Sequence, residues 1–568
     1  MFTETNETSE KFSALLDEAW EWEMRDDPTF ATRCGDHRFN DRLPLVSERD
    51  YQQRLAQIET FLARLNALDR AALPPAQQVN YAMFARFLGD RMADLRFHTY
   101  RMPFTRLGGF HTDFLELPHI VPLNTVQDYE NYAARLDGFA ALVDQYILLL
   151  RGAIDSGHMP PKIALQGMDG AIRAQIVDDG RAHLLYKPFL ALPPGIAPAE
   201  GVRLADLGRR AIERSVSPGY RALLRFVRDD YLPAASDEIA AAALPDGRAF
   251  YEHCVRKYTT LDLTPQQVHD IGLAEVARIR AEMDEIMRRV NFDGDLGQFI
   301  HFLRTDPRFY VDTPEALMKE AALILKRIDG QLPRLFKTLP RTPYGIRAVP
   351  DYIAPETTTA YYFPPAGDGT QAGFYYINTY DLKSRPLYEL EALSLHEAVP
   401  GHHLQIALQQ ELDMPPFRRF GWVTAFGEGW ALYAERLGLE MGFYQDPYSD
   451  FGRLTYAMWR ACRLVVDTGM HYMGWTRQQA IDLMAENTAL TMLNIGNEID
   501  RYISWPGQAL AYQIGEIKIR ELRQFAEQAL GACFDLRAFH DLVHSDGGIP
   551  LDLLEAKVRR WAAAYPQA

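Results

Sequence analysis

Ser394-Leu-His-Glu-Ala-Val-Pro-Gly-His-His-Leu-Gln405 places three histidines and one glutamate within eight residues of an apolar, helix-like segment. Packing explains such a cluster poorly, because histidine and glutamate are rarely buried unless they are paired or bind a metal. His-Glu followed by further histidines is the pattern of a zinc hydrolase. Neutral imidazoles hold the ion, and a glutamate handles the proton of the water that the ion activates. In a regular HExxH helix the two histidines are four residues apart and share a face. Here the fourth residue after His396 is Pro400, which cannot ligate. Its ring also removes the backbone bond to the His396 carbonyl, so a kink or bulge is expected there. On an unbroken helix His403 would face the same side as His396 but about 10.5 Å further along the axis. With Val399-Pro400 looped out, His402 takes the position the metal needs. His402 is therefore the preferred second ligand, and His403 is the alternative.

A third ligand is needed. Glu428 follows His402 by 26 residues, within Thr424-Ala-Phe-Gly-Glu-Gly-Trp-Ala-Leu-Tyr-Ala-Glu-Arg436. It sits in the first turn of an apolar helix between Gly427 and Gly429, whose missing side chains are expected to let the carboxylate approach an ion closely. The plain alternative is a solvated carboxylate favoured by the helix dipole. Glu435 lies two turns on and faces the same way, so it is expected to support a ligand from behind. Glu397 directly follows the first ligand and is the expected general base and acid.

The rest of the chain reads as helices. Residues 9–26, two stretches within 48–94 split at Leu73-Pro74-Pro75, 126–156 and 200–245 all carry helical spacing. Thr264-Pro265 is a helix start, and the helix runs to about Arg289. Further helices are expected near 295–304, 313–329, 424–441, 450–473, 477–489, 496–503, 508–530 and 551–564. Leu387–Leu412 reads as helix interrupted near Pro400. The texture changes at 348–380. Val349–Ile353, Thr359–Phe363 and Gly373–Asn378 are short aromatic runs around the turn-rich Pro364–Gly369, which reads as the chain's one β region. Gly373–Asn378 is expected to be an edge strand beside the metal helix, with Tyr376 on it contacting a peptide that adds as a further strand. The expected fold is mostly α, with an N-terminal helical lobe over 1–250 and a catalytic lobe over 251–568 that interlock as one unit.

Bulk properties exclude several classes. A formal net charge of −16 argues against nucleic-acid binding. The longest apolar run, Tyr146–Leu150, is too short to span a bilayer. Met1–Asp27 is polar and acidic rather than a basic region followed by an apolar one. The four cysteines, Cys34, Cys254, Cys462 and Cys533, form no CxxC pair, which fits a reducing compartment. A cytoplasmic protein without nucleic-acid or membrane partners is expected.

At these motifs the sequence resembles DUF885, a bacterial family known only as a domain of unknown function. The resemblance covers His396–Gln405, Gly427–Glu435, Arg463-Leu-Val-Val-Asp-Thr-Gly-Met-His471, Arg501-Tyr-Ile-Ser-Trp-Pro-Gly-Gln-Ala-Leu-Ala-Tyr512 and Phe534–His540. More distantly it is similar to the gluzincins: angiotensin-converting-enzyme-like, thimet-type and thermostable carboxypeptidases. Those enzymes have a HExxH helix followed about two dozen residues later by a glutamate ligand. Gly401-His402-His403-Leu404 looks like their Gly-His-Ala-Leu step, which favours His402. Arg501-Tyr502 looks like the Arg-Tyr pair that supplies their oxyanion tyrosine. Val399-Pro400 is the departure, since it lengthens HExxH.

The resemblance implies a clam-like, two-lobed gluzincin fold with one Zn²⁺ in a deep cleft. It implies an oligopeptidase or carboxypeptidase acting on short peptides, as a monomer or homodimer. Tyr502 would bind the oxyanion, with Arg501 and Tyr512 contacting substrate. His471, four residues after Asp467 and on a face with Arg463, would be a transition-state donor oriented by that carboxylate; a structural ion-pair network is the alternative. Two other functions fit the residues: a zinc hydrolase of a non-peptide amide or ester, and a non-catalytic helical binding protein on a peptidase scaffold.

Overall fold

The computed structural model describes residues 7–351, 354–356, 358–365 and 371–564. The chain is mostly helical and divides into two compact units, Met1–Phe250 and Tyr251–Ala568.

The first unit is built on the helix Val126–Ser156. Thr125 and Asp128 form a reciprocal capping box at its start, and Gly157, with φ 73°, ends it. Its buried face, including Tyr132, Leu136, Phe139, Val143 and Leu150, packs against Leu165, Ile212, Tyr220, Leu223 and Val227. The helical stretch expected over 200–245 is not continuous. It runs as Pro198–Ala211, a π turn at Ile212–Val216, Ser217–Phe226, a second π turn at Val227–Tyr231 and the short Leu232–Ala234. Each π turn runs into a proline, Pro218 or Pro233, whose missing N–H leaves one regular helical bond unmade. A two-residue hairpin, Phe104–Thr105 with Gly108–Gly109, is a β element that the sequence pattern did not announce.

In the second unit, helix α1 (Pro265–Arg289) is capped by Thr264 and Gln267, with Pro265 at its first position. Three strands follow: β1 (Tyr344–Ala348), β2 (Ala360–Phe363) and β3 (Gly373–Ile377), in the order β1-β3-β2. β1 is parallel to β3, and β2 is antiparallel to it. The first strand thus lies before Val349 rather than at Val349–Ile353; of that run, Tyr352 and Ile353 lie outside the described residues, as do Ala366–Gly369 of the turn-rich loop. β3 is the central strand, paired on both sides, so the expected edge strand at Gly373–Asn378 is not an edge. The edge beside it is β2.

Seven further helices matter for the site or its walls. They are α2 (Leu390–Glu397), α3 (His402–Glu411), α4 (Thr424–Leu437), α5 (Pro447–Tyr472), α6 (Met492–Ser504), α7 (Ala511–Leu530) and α8 (Leu536–His544). α5 lies along α1, and Gly272 of α1 meets the side chains of Leu464 and Val465. α4 and α7 cross in backbone contact, with Gly429 against Gly515. Around that crossing Ala425, Phe426, Trp430, Ala431 and Ala511 are fully buried. No helix among the described residues is long and apolar enough to cross a membrane. Cys254 and Cys462 are buried, and neither they nor Cys34 and Cys533 form a disulfide.

The crossing is sensitive to a single methyl. A Cβ at Gly515 would collide with the Ala425 carbonyl and the Gly429 Cα, whereas one at Gly496 on α6 meets nothing closer than 3.7 Å. Gly515→Ala is expected to cost about 1–3 kcal/mol through overpacking. Gly496→Ala is expected to gain about 0.5–1 kcal/mol through reduced chain entropy. Urea midpoints followed by circular dichroism check both.

Candidate metal centre

The helix through His396 breaks where Pro400 requires it. α2 ends at Glu397, and Ala398 leaves helical geometry at φ −102°, ψ −105°. The Val399–Pro400 peptide is cis. α3 restarts at His402, with the His403 N–H on the Ala398 carbonyl at 2.9 Å. The Pro400 carbonyl is buried here and accepts a 2.7 Å hydrogen bond from Nε1 of Trp430 on α4. Gly401 is required because a Cβ would collide with the carbonyl oxygens of Leu395 and His396. The interruption carries His402, not His403, to the face of His396. The two rings stand 4.8 Å apart, nearly perpendicular at 86°.

α4 brings Glu428 to the same point. Its Oε2 lies 3.7 Å from His396 Nε2 and 3.6 Å from His402 Nε2. The glycines flanking Glu428 have a different task from the one expected. Gly427 makes room for the Trp422 ring, and Gly429 makes room for the α7 backbone. They lock α4 in place and so position the carboxylate, rather than clearing its approach to an ion.

These three side chains fit a metal. One ligand atom from each lies within 4.8 Å of the others. The nitrogen-to-oxygen separations are too long for hydrogen bonds and close to the edge of about 3.3–3.4 Å that tetrahedral zinc bonds of about 2.0–2.1 Å imply. Burial holds both imidazoles below their usual range, so they are neutral at pH 7 with free lone pairs. His396 Nδ1 donates to Glu435 Oε1 at 2.8 Å, which leaves its Nε2 as the acceptor. Nδ1 of His402 is buried without a hydrogen-bond partner, so only the His396 tautomer is fixed in this way. Glu435 in turn lies 3.6 Å from Nη2 of Arg460, a buried cation on α5 that the sequence reading did not single out.

Glu397 is buried beside the group. Burial, then the charges of Glu428 and Glu435, push its carboxyl up to about 8 against the opposing pull of Arg460 and a hydrogen bond from the Tyr362 backbone N–H. Burial likewise raises Glu435 to about 7 although Arg460 and Arg453 oppose it. The Tyr362 bond shows which way β2 faces. Thr359 and Asn378 form a backbone hydrogen bond, and alternation along the antiparallel ladder then turns the backbone of Ala360 and Tyr362 away from β3. That open edge looks toward Glu397.

The remaining expected residues lie in other arrangements. His403 is a staple. Its Nε2–H donates to the Thr342 carbonyl at 3.1 Å, and its Nδ1 accepts from the Tyr362 hydroxyl at 2.7 Å, so it holds the sheet against the metal helix. Tyr376 is on the central strand, stacked on Tyr361 with 4.8 Å between rings, and offers no free edge to a peptide.

Tyr502 is fully buried. Its hydroxyl accepts from Arg463 Nε at 2.8 Å and Trp459 Nε1 at 3.0 Å, and donates to Glu498 at 2.6 Å. Burial opposes ionisation of Glu498, but Arg501 and Arg463 hold it at about 2, so it keeps that proton donor occupied. Tyr502 therefore has no proton left for an oxyanion. Arg501 bonds Glu498 at 3.1 Å and Gln508 at 2.8 Å. His471 Nε2 donates to the Tyr502 carbonyl at 2.9 Å, and Asp467 accepts from the Tyr251 hydroxyl and from the Gly507 N–H at 3.1 Å. These two buried groups brace the 501–512 segment.

Tyr512 is placed differently. It stands one turn before Gly515 on α7, beside Gln508 and under the Arg463 guanidinium at 4.6 Å. Burial and the nearby Glu428 charge raise its hydroxyl. Arg463 and Arg460, three residues apart on α5, could have been read as one face; the sequence alone gave no sign that this face meets the histidines.

Fold and site define a mostly helical protein with a buried His₂Glu group that could hold a metal ion. The chain belongs to DUF885, a family of bacterial proteins of unknown function, whose model matches residues 28–558. It is similar to the crystal structure of a candidate lipoprotein from Colwellia psychrerythraea, with 28% identity and a TM-score of 0.91 over 99% of this chain and 100% of that one. A candidate lipoprotein of unknown function from Shewanella oneidensis shares the fold at 20% identity, with a TM-score of 0.74 over 97% of this chain and 99% of that one. No curated protein matches.

The geometry separates the adjacent histidines. His402→Ala is expected to lose the bound divalent ion, measured by elemental analysis after dialysis. His403→Ala should keep the ion and lower the melting temperature. Glu435→Gln should weaken metal affinity by about 10–100-fold.

Proposed function

We propose that this chain is a zinc-dependent peptidase of the gluzincin-like kind, acting on short peptides. The observation that carries the proposal is the convergence of three ligand atoms beside a buried glutamate and a strand edge. His396, His402 and Glu428 hold the ion, and Glu435 orients His396. A Zn²⁺ ion at this donor set supplies Lewis acidity and lowers the pKa of a water to about 7. Glu397 takes the proton of the attacking water and hands it to the leaving amide nitrogen. The outward Ala360 N–H and Tyr362 carbonyl pair with an extended substrate, in place of Tyr376 and its strand, the Tyr362 N–H being held by Glu397.

Tyr512 replaces Tyr502 as the oxyanion donor. The charge of Glu428 acts on its hydroxyl, whereas the Tyr502 proton is committed to Glu498. Tyr502, Arg463 and Arg501 hold that donor in place. The cytoplasm is the site of action read from composition. The relatives' description as candidate lipoproteins makes the cell envelope the alternative, and cell fractionation separates the two.

Removal of the ion by a chelator is expected to abolish peptide hydrolysis, and added Zn²⁺ to restore it. Glu397→Gln should retain the ion while kcat falls by about 10²–10⁴. Tyr512→Phe should lower kcat by about 10²–10³ with little change in KM. Tyr502→Phe should act mainly on stability. Steady-state kinetics with metal content measured on the same samples checks each outcome, and full activity in Glu397→Gln would sink the mechanism.

A further inference from the structure

The metal group is not equally covered on all sides. The side chains of His396 and Glu435 are 5% and 4% exposed, but those of His402 and Glu428 reach 11% and 14%. Solvent reaches the centre from the His402 and Glu428 side, and Trp422 stands on that rim. Its ring centroid is 6.0 Å from the His402 ring, yet the residue is 46% exposed. A large aromatic ring that touches a buried ligand and still shows half its surface is the boundary between the centre and whatever enters it.

The indole is held in place from two directions. It is seated on the first turn of α4 at Gly427, where a Cβ would collide with the six-membered ring. Behind it, Gln409 of α3 clamps the connecting loop. Its Nε2 donates to the carbonyls of Arg418 at 3.1 Å and Gly421 at 3.3 Å, while its Oε1 accepts from the Gly548 N–H at 2.9 Å. An anchored ring loses little freedom when a second apolar group stacks on it. The buried cations near the centre face carboxylates, while Nε of Arg460 and Nη1 of Arg463 have no hydrogen-bond partner. Arg460 is matched by Glu435, and Arg463 and Arg501 share Glu498.

We infer that Trp422 is the specificity-determining platform, and that the substrates are peptides with an aromatic or bulky aliphatic side chain next to the bond that is cut. The open indole face takes that side chain by stacking and by removing apolar surface from water. The inference rests on the peptidase reading and names its substrate class.

Two measurements test it together. Blocked peptides that differ only at the residue flanking the scissile bond (Gly, Leu, Phe, Asp or Lys) are offered to the zinc-loaded chain, to Trp422→Ala and to Trp422→Phe. The same peptides are titrated calorimetrically into Glu397→Gln, with and without Trp422→Ala. The wild-type chain is expected to prefer Phe and Leu over Gly by about tenfold or more in kcat/KM. Trp422→Ala should erase that preference through KM, kcat/KM on the Phe and Leu peptides falling to that on the Gly peptide, with zinc content measured on the same samples because the ring also packs on Gly427 beside Glu428. Trp422→Phe should retain part of the preference, and the calorimetric affinity for the Phe peptide should fall by about tenfold in the Trp422→Ala background. Preference that survives Trp422→Ala, equal loss on every peptide, or loss of metal in both variants would overturn the inference. If Phe peptides bind in a Trp422-dependent way but none is cut, the peptidase reading fails while the platform stands.

Discussion

A proline in the middle of an apolar helix leaves a carbonyl without its N–H, and burial forbids water from replacing it. Here the chain resolves this by leaving the helix at Ala398 and re-entering it at His402. At the break the Ala398 carbonyl accepts from the His403 N–H and the Pro400 carbonyl from Nε1 of Trp430. The rest of the centre follows from that geometry. The interruption decides which histidine meets His396. Trp430 ties the break to α4, which also carries Glu428 and Glu435. The Gly429–Gly515 crossing then fixes α7, which carries Tyr512 one turn earlier. One defect in a helix thus sets the positions of groups on three others.

Charge balance gives the arrangement its chemical sense. Glu397, Glu428 and Glu435 crowd two neutral imidazoles, with Arg460 the nearest cation to Glu435. Burial drives the carboxyls of Glu397 and Glu435 upward, which is the cost of holding like charges out of water. A divalent cation among them reverses the sign of that penalty, stabilising the ionised carboxylates. Removing Arg460 would leave Glu435 opposed only by more distant cations, so Arg460 belongs to the centre as much as the ligands do.

Much of the helical plan was legible because apolar spacing and capping residues are local signals; Thr264, Pro265 and Gln267 act together as their order suggests. The group His396, His402 and Glu428 was legible because a proline at the fourth position allows few geometries. What was not legible depends on partners distant in sequence. The sheet order that makes β2 the edge is invisible in the strands themselves, since Gly373–Ile377 alternates in burial like any half-covered strand. Gly427 and Gly429 looked like clearance for an ion because Trp422 and Gly515 could not be placed beside them. Tyr502 looked available because Arg463, Trp459 and Glu498 come to its hydroxyl from α5 and from its own helix. His403 was a possible ligand until Thr342 and Tyr362 were seen to occupy both its nitrogens.

The most direct test of this account is an anomalous difference map recorded across the zinc absorption edge on crystals of the zinc-equilibrated chain. One strong peak is expected at about 2.0–2.2 Å from Nε2 of His396, Nε2 of His402 and a carboxylate oxygen of Glu428. A map without that peak, or a peak coordinated by His403 in place of His402, would contradict it.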